Sequence, residues 1–248
     1  MEKVHKFTML ELLCVVSVII VLVSLLMPAL YRAKKAARGM QCSFYQKQIG
    51  MTFAEYSADF HDIYPIQHCR TDNRISGYGH NWAYQFSYKI TYLPEYNRTV
   101  LPKETRCTEN TIPATYFNSV YGWISVITGN FYYDKFGGEK NTIHYYSDAV
   151  YADGSSARAV YYNLRRMKNL SGLAFLACSF NAGRGTHLIA GGGTYYLWLA
   201  HNNRGGALFM DGHVEQKAQS SWISYMKNVN SWHRQDMMVN ESGTVVPF

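Results

Sequence analysis

From Phe7 to Leu30 the chain carries one charged residue, Glu11, inside an otherwise apolar run that is interrupted by Pro28 and gives way to the basic stretch 31–38. Residues 12–31 are twenty positions, mostly Leu, Val and Ile and without charge, which is long enough to cross a hydrocarbon core of roughly 30 Å as a helix. A secretory signal would have a shorter apolar region ending in a small-residue cleavage site, whereas here Leu25, Leu26 and Met27 run directly into Pro28. The sequence therefore predicts a retained spanning helix. An unpaired acid inside such a helix costs about 3 kcal/mol, so Glu11 marks function and calls for a cationic partner.

The residues Lys6-Phe7-Thr8-Met9-Leu10-Glu11-Leu12-Leu13 resemble the leader junction of type IV prepilins and type II secretion pseudopilins. The resemblance implies a leader over residues 1–6, cut between Lys6 and Phe7 by an inner-membrane prepilin peptidase that also methylates the new N-terminus of Phe7. Lys6 stands where that family usually carries Gly. Glu11 then lies five positions into the mature chain, where the family's Glu pairs with the N-terminal amine of a neighbouring subunit. Pro28 also matches a proline usual in these helices, and a proline there frees a backbone carbonyl and permits a kink. The implied partners are the peptidase, copies of this chain and other pilin-like subunits, and an inner-membrane assembly platform. The implied location is the bacterial inner membrane, as a single-pass protein with its globular domain outside the cytoplasm. Arg32, Lys34, Lys35 and Arg38 follow the helix while Lys3 and Lys6 precede it. Charge counting alone would place the domain inside, and the leader motif outranks it over so short an N-terminus.

The segments expected are a leader at 1–6, a membrane helix at 7–31, an amphipathic stem helix at 32–60 and a globular domain at 61–248. The fold class expected is α+β and pilin-like, a long N-terminal helix packed on an antiparallel sheet. Ala33, Ala37, Met40, Phe44, Met51 and Ala54 recur at helical spacing, and their side of the stem is expected to be covered by that sheet. Gly39 and Gly50 each weaken a helix by about 1 kcal/mol relative to Ala, which makes either a candidate bend. Residues 65–169 form a Tyr-, Asn- and Gly-rich insert. Stretches 120–127 and 157–162 suit strands, and Ala152-Asp153-Gly154-Ser155 suits a turn between them. Residues 170–216 sharpen into antiparallel strands at 173–180, 195–201 and 207–210, with Asp211-Gly212 as a strong hairpin signal. Trp222, Tyr225 and Met226 suggest a short helix, and an irregular tail is expected from Trp232.

His201, nine intervening residues, then Asp211 and Gly212 resemble the H-X9-DG signature of a large bacterial subgroup of prepilin-type proteins, with 173–179 resembling its preceding strand. If 195–201 pairs with 206–211, His201 and Asp211 are some 15 Å apart by strand rise. That reads Asp211 as a turn residue that tolerates positive φ and His201 as a strand-end packing residue, with catalysis by the pair the lesser alternative. No cofactor is expected apart from calcium. Secretion pseudopilins bind it near their sheet, and Asp211 with Glu215 or Asp236 would offer hard oxygen ligands, although no EF-hand-like spacing is present.

The five cysteines, Cys14, Cys42, Cys69, Cys107 and Cys178, share no CxxC spacing. Cys14 lies in the apolar run, and the other four are expected to form at least one disulfide in an oxidising compartment, with the pairing open. His61-Asp62 and His68-Cys69 match no familiar zinc spacing, and the glycine runs lack the setting of a phosphate loop. The net charge of +7 includes the basic stem segment and shows no other dense basic run, so no nucleic-acid partner is expected. Two function classes stand: a non-enzymatic pilin-like or pseudopilin subunit, or a membrane-anchored surface module that binds or hydrolyses an extracellular ligand.

Overall fold

The computed structural model describes residues 8–70, 82–84, 102–110, 121–124, 143–150, 156–180, 188–189, 196–229 and 238–246. Helix α1, Met9–Asp59, runs unbroken for 51 residues, through Pro28 and through both glycines. Its first turn is closed by a capping box. Thr8 donates its backbone N–H and its hydroxyl to Glu11 Oε2, both at 2.8 Å, and the Glu11 N–H returns to Thr8 Oγ1 at 3.3 Å. The N-terminal part of α1 is long and apolar enough to cross a membrane, and its most apolar stretch buries nothing against the rest of the chain. Lys6 and Phe7 lie outside the described residues.

The remaining elements place the chain in the α+β class. Strands β1, Ile63–Arg70, β3, Ile143–Val150, and β4, Ser156–Asn163, form a sheet in the order β1-β4-β3. The stem packs on a second sheet, ordered β10-β9-β5-β2-β7, made of β2, Gly122–Ile124, β5, Ala174–Ala177, β7, Leu188–Ile189, β9, Arg204–Phe209, and β10, Val214–Ala218. A third, β12-β11-β8-β6, comprises β6, Ser179–Phe180, β8, Tyr196–Trp198, β11, Met238–Val239, and β12, Val245–Val246. Most ladders are antiparallel, but β2–β7 and β8–β11 are parallel. Between β1 and β2 lies a short helix α2, Trp82–Tyr84, and after β10 comes α3, Gln219–Val229. Phe53 of the stem centres the core, with ring centroids 5.1 Å from Tyr64, 5.2 Å from Phe175 and 5.9 Å from Trp82.

The face of the stem turned to the sheet is not the one hydropathy suggests. Cys42, Tyr45, Gln46, Ile49, Gly50, Phe53 and Ser57 are buried, whereas Met40, Phe44 and Met51 remain 68%, 59% and 56% exposed. The helix is not interrupted at either glycine, and both lie where the sheet side comes close. A Cβ on Gly50 would come within 2.8 Å of Leu208 Cδ1, and one on Gly39 within 3.3 Å of His201 Cβ. Polar side chains finish the seam. Gln46 Nε2 donates to Gly206 O at 3.1 Å, Gln216 Nε2 to Gly39 O at 2.6 Å, and Lys47 Nζ to Gly212 O at 2.8 Å.

Three further expectations are corrected. The strand 157–162 lies within β4, whose hairpin partner is β3 rather than 120–127; the turn residues between β3 and β4 lie outside the described residues. The tail is not wholly irregular, since β11 and β12 form a hairpin. Among the described residues, 196–201 does not ladder onto 206–211: β8 pairs with β6 and β11, and the bridge nearest β9 is between His201 and Arg204.

Candidate metal centre

Four segments far apart in sequence converge on one buried point. Cys42 sits on the inner face of α1, three residues after Gly39, whose bare backbone gives His201 room to approach. Cys107 follows a one-turn 3₁₀ helix, Lys103–Thr105, held by the Thr105 hydroxyl donating to Pro102 O at 2.6 Å and the Tyr121 N–H donating to Thr105 O at 2.8 Å. This segment is tied to the stem as well. Thr108 Oγ1 donates to Arg38 O at 2.9 Å, and Arg38 Nη1 pairs with Glu109 Oε2 at 2.9 Å. Cys178 occupies the break between β5 and β6, its N–H donating to Gly206 O at 3.1 Å and its carbonyl accepting from Trp198 N at 2.8 Å. His201 precedes the two-residue turn Asn202-Asn203, both in left-handed geometry at φ 52° and 55°, which Asn tolerates better than most residues.

Cys42, Cys107, Cys178 and His201 are all buried, and one donor atom from each falls within 4.8 Å of every other. Cys42 Sγ lies 3.5 Å from Cys178 Sγ, and Cys107 Sγ lies 3.3 Å from His201 Nε2. The Tyr121 hydroxyl stands 3.2 Å from Cys42 Sγ. On the far side of the imidazole, His201 Nδ1 is buried without a hydrogen-bond partner, its nearest carboxylate being Glu109 Oε1 at 4.0 Å. Burial pushes the Cys42 thiol up, but hydrogen bonds from Cys107, Cys178 and His201 outweigh it and hold Cys42 well below the ordinary thiol range. Burial, with the neighbouring sulfurs, drives Cys107 upward.

Three chemistries use such residues. A disulfide needs sulfurs about 2.05 Å apart, and Cys42, Cys107 and Cys178 are free thiols, so the expected disulfide is not formed among them. A nucleophile and its base need hydrogen-bond reach, which Cys107 and His201 nearly have, but both are buried from any substrate. Four convergent soft donors with all four side chains enclosed are the arrangement of a closed, structural metal site.

The structure locates the residues expected from sequence elsewhere. Asp211 and His201 do not share a site. Asp211 sits in the β9–β10 hairpin, where Oδ1 accepts from the His213 N–H at 3.1 Å and contacts His213 Nδ1 at 2.5 Å. Positive φ falls on Gly212, at 83°, rather than on Asp211. Glu215 pairs with Lys217 at 2.5 Å, and Asp236 lies outside the described residues. Among the described residues, the three-cysteine, one-histidine group is the one cluster of His, Cys, Asp and Glu suited to a metal. Sequence reading missed it because the ligands are spaced by 65, 71 and 23 positions. The available signal was the presence of buried-type cysteines outside the apolar run together with His201.

No family model, curated protein or solved structure matches the chain.

Proposed function

We propose that this chain is a non-enzymatic pilin-like or pseudopilin subunit, anchored in the inner membrane by the N-terminal half of α1 and assembled through that helix with copies of itself or related subunits. The supporting observation is the double character of one continuous helix. Its inner face from Gly39 to Ser57 is sealed by the chain's own sheet, while its first half and the outer stripe of Met40, Phe44 and Met51 stay exposed. Apolar area left bare along one face of a stem that continues a membrane-length helix suits a neighbouring helix of the same kind. It adds contact area where the helices leave the bilayer.

Glu11 fits this reading in a way the sequence alone does not suggest. The capping box gives its carboxylate two hydrogen-bond donors within its own chain, so the acid is partly satisfied before assembly. A neighbour's N-terminal amine would add the missing charge.

The test is intact-mass and N-terminal analysis of protein from membranes of cells with and without a prepilin peptidase. The expected result is a chain beginning at N-methylated Phe7 only when the peptidase is present. A chain still carrying residues 1–6 in both strains would overturn the proposal.

A further inference from the structure

We infer that Cys42, Cys107, Cys178 and His201 bind one zinc ion, which clamps the membrane stem to the globular domain. The donor set is the three-thiolate, one-imidazole combination of closed structural zinc sites. A tetrahedral zinc with bonds of about 2.3 Å to sulfur and about 2.0 Å to nitrogen separates its ligand atoms by roughly 3.5 to 3.8 Å. Cys42 and Cys178 sulfurs, 3.5 Å apart without an S–S bond, and Cys107 Sγ with His201 Nε2, 3.3 Å apart, lie a few tenths of an ångström inside that spacing, and all four donor atoms lie within 4.8 Å of one another, so small shifts bring them onto one ion. Three buried sulfurs and an imidazole brought together by four separate segments would otherwise be a poor use of a core position, because a thiol gains little from facing two others and an imidazole.

The surroundings match what zinc ligands need. Three thiolates and a neutral imidazole around a dication leave one net negative charge, which requires hydrogen-bond donors at the sulfurs. The Tyr121 hydroxyl lies 3.2 Å from Cys42 Sγ, within reach to donate to it. Ligating histidines turn their second ring nitrogen toward a carboxylate or carbonyl. His201 presents Nε2 to the sulfurs and leaves Nδ1, otherwise without a partner, facing Glu109 at 4.0 Å. Binding releases the thiol protons to solvent and changes no oxidation state, so no oxidant or reductant is involved.

The ion would join the stem, the 106–110 segment, the β5–β6 junction and the turn before β9. It would thereby fix the membrane helix against three parts of the domain at once. The site is independent of leader processing and filament assembly, so either reading can fail without the other.

The full chain, purified in detergent without chelator, would be assayed for metal by mass spectrometry. It would then be exchanged with cobalt(II) and scanned for sulfur-to-cobalt charge transfer and tetrahedral d–d bands. One zinc per chain and a tetrahedral thiolate–cobalt spectrum are expected, with His201→Cys keeping the metal and shifting the spectrum while Cys107→Ser loses it. Absence of stoichiometric zinc after reconstitution, iron in its place, or a Cys42–Cys178 disulfide in the native protein would each overturn the assignment. Because the decisive readings are made on the unaltered chain, a variant that fails to fold leaves the test intact.

Discussion

The two halves of α1 obey different rules although no break separates them. From Leu12 to Tyr31 nearly every side chain is large and apolar, and every one is exposed. Between Gly39 and Ser57 the buried face mixes Gly, Cys, Gln, Tyr and Ser with Ile49 and Phe53. The first half has a composition that demands an apolar environment the chain itself does not provide. The second has shape, with glycines where the sheet comes closest and polar groups where backbone carbonyls must be met. Hydropathy measures demand for burial; it does not say which surface will meet that demand.

The largest expected difference between the two halves lies at the junction of helix and sheet. Stripping zinc from the full chain with a strong chelator is expected to cost several kcal/mol of folding free energy in the domain, in keeping with structural zinc sites. Thermal melting followed by near-ultraviolet circular dichroism would register it, while helicity of the first half of α1 should persist. Next in size is a matched pair on the stem. Phe53→Ala empties a fully buried ring position and should destabilise the domain by about 3 to 5 kcal/mol. Phe44→Ala, nine residues away on the exposed side, should change it by less than about 0.5 kcal/mol. Equal losses in denaturant titrations would erase the distinction between the two faces.

Smaller again is Gly212→Ala in the β9–β10 hairpin. The site has space for a methyl, but its φ of 83° strains any L side chain, for a loss of about 1 kcal/mol in the same titration. The smallest effect on domain stability belongs to Glu11→Ala. It removes the capping box at the far end of α1, worth about 1 kcal/mol of local helix stability, and should leave the domain's melting temperature unchanged. Its consequence should appear in assembly instead, as loss of filaments by electron microscopy.

How much of this was legible in sequence follows from the range over which each signal acts. The membrane-length helix, the Asp211-Gly212 hairpin and the helix around Trp222, Tyr225 and Met226 were readable because each rests on neighbouring residues. Met40, Phe44 and Met51 misled because a helix with two apolar-tolerant faces gives hydropathy no way to choose between its own sheet and another surface. The metal centre was invisible for a different reason. Its ligands come from a helix, a 3₁₀ exit, a strand break and a turn, so no fixed spacing announces them, and four cysteines in a domain expected outside the cytoplasm read first as disulfides. His201, expected at the end of a strand, lies three residues beyond β8 in an isolated bridge with Arg204, and its approach to the stem depends on Gly39, 162 positions earlier, having no side chain.

The inner stripe of the stem meets the chain's own sheet, and under the proposed assembly the outer stripe meets another subunit. A photo-reactive phenylalanine analogue placed at Phe44, and separately at Tyr45, in cells that process the protein tests it directly. Adducts between two chains are expected from position 44 and none from position 45. Intermolecular adducts absent at 44, or equally strong at both positions, would contradict it.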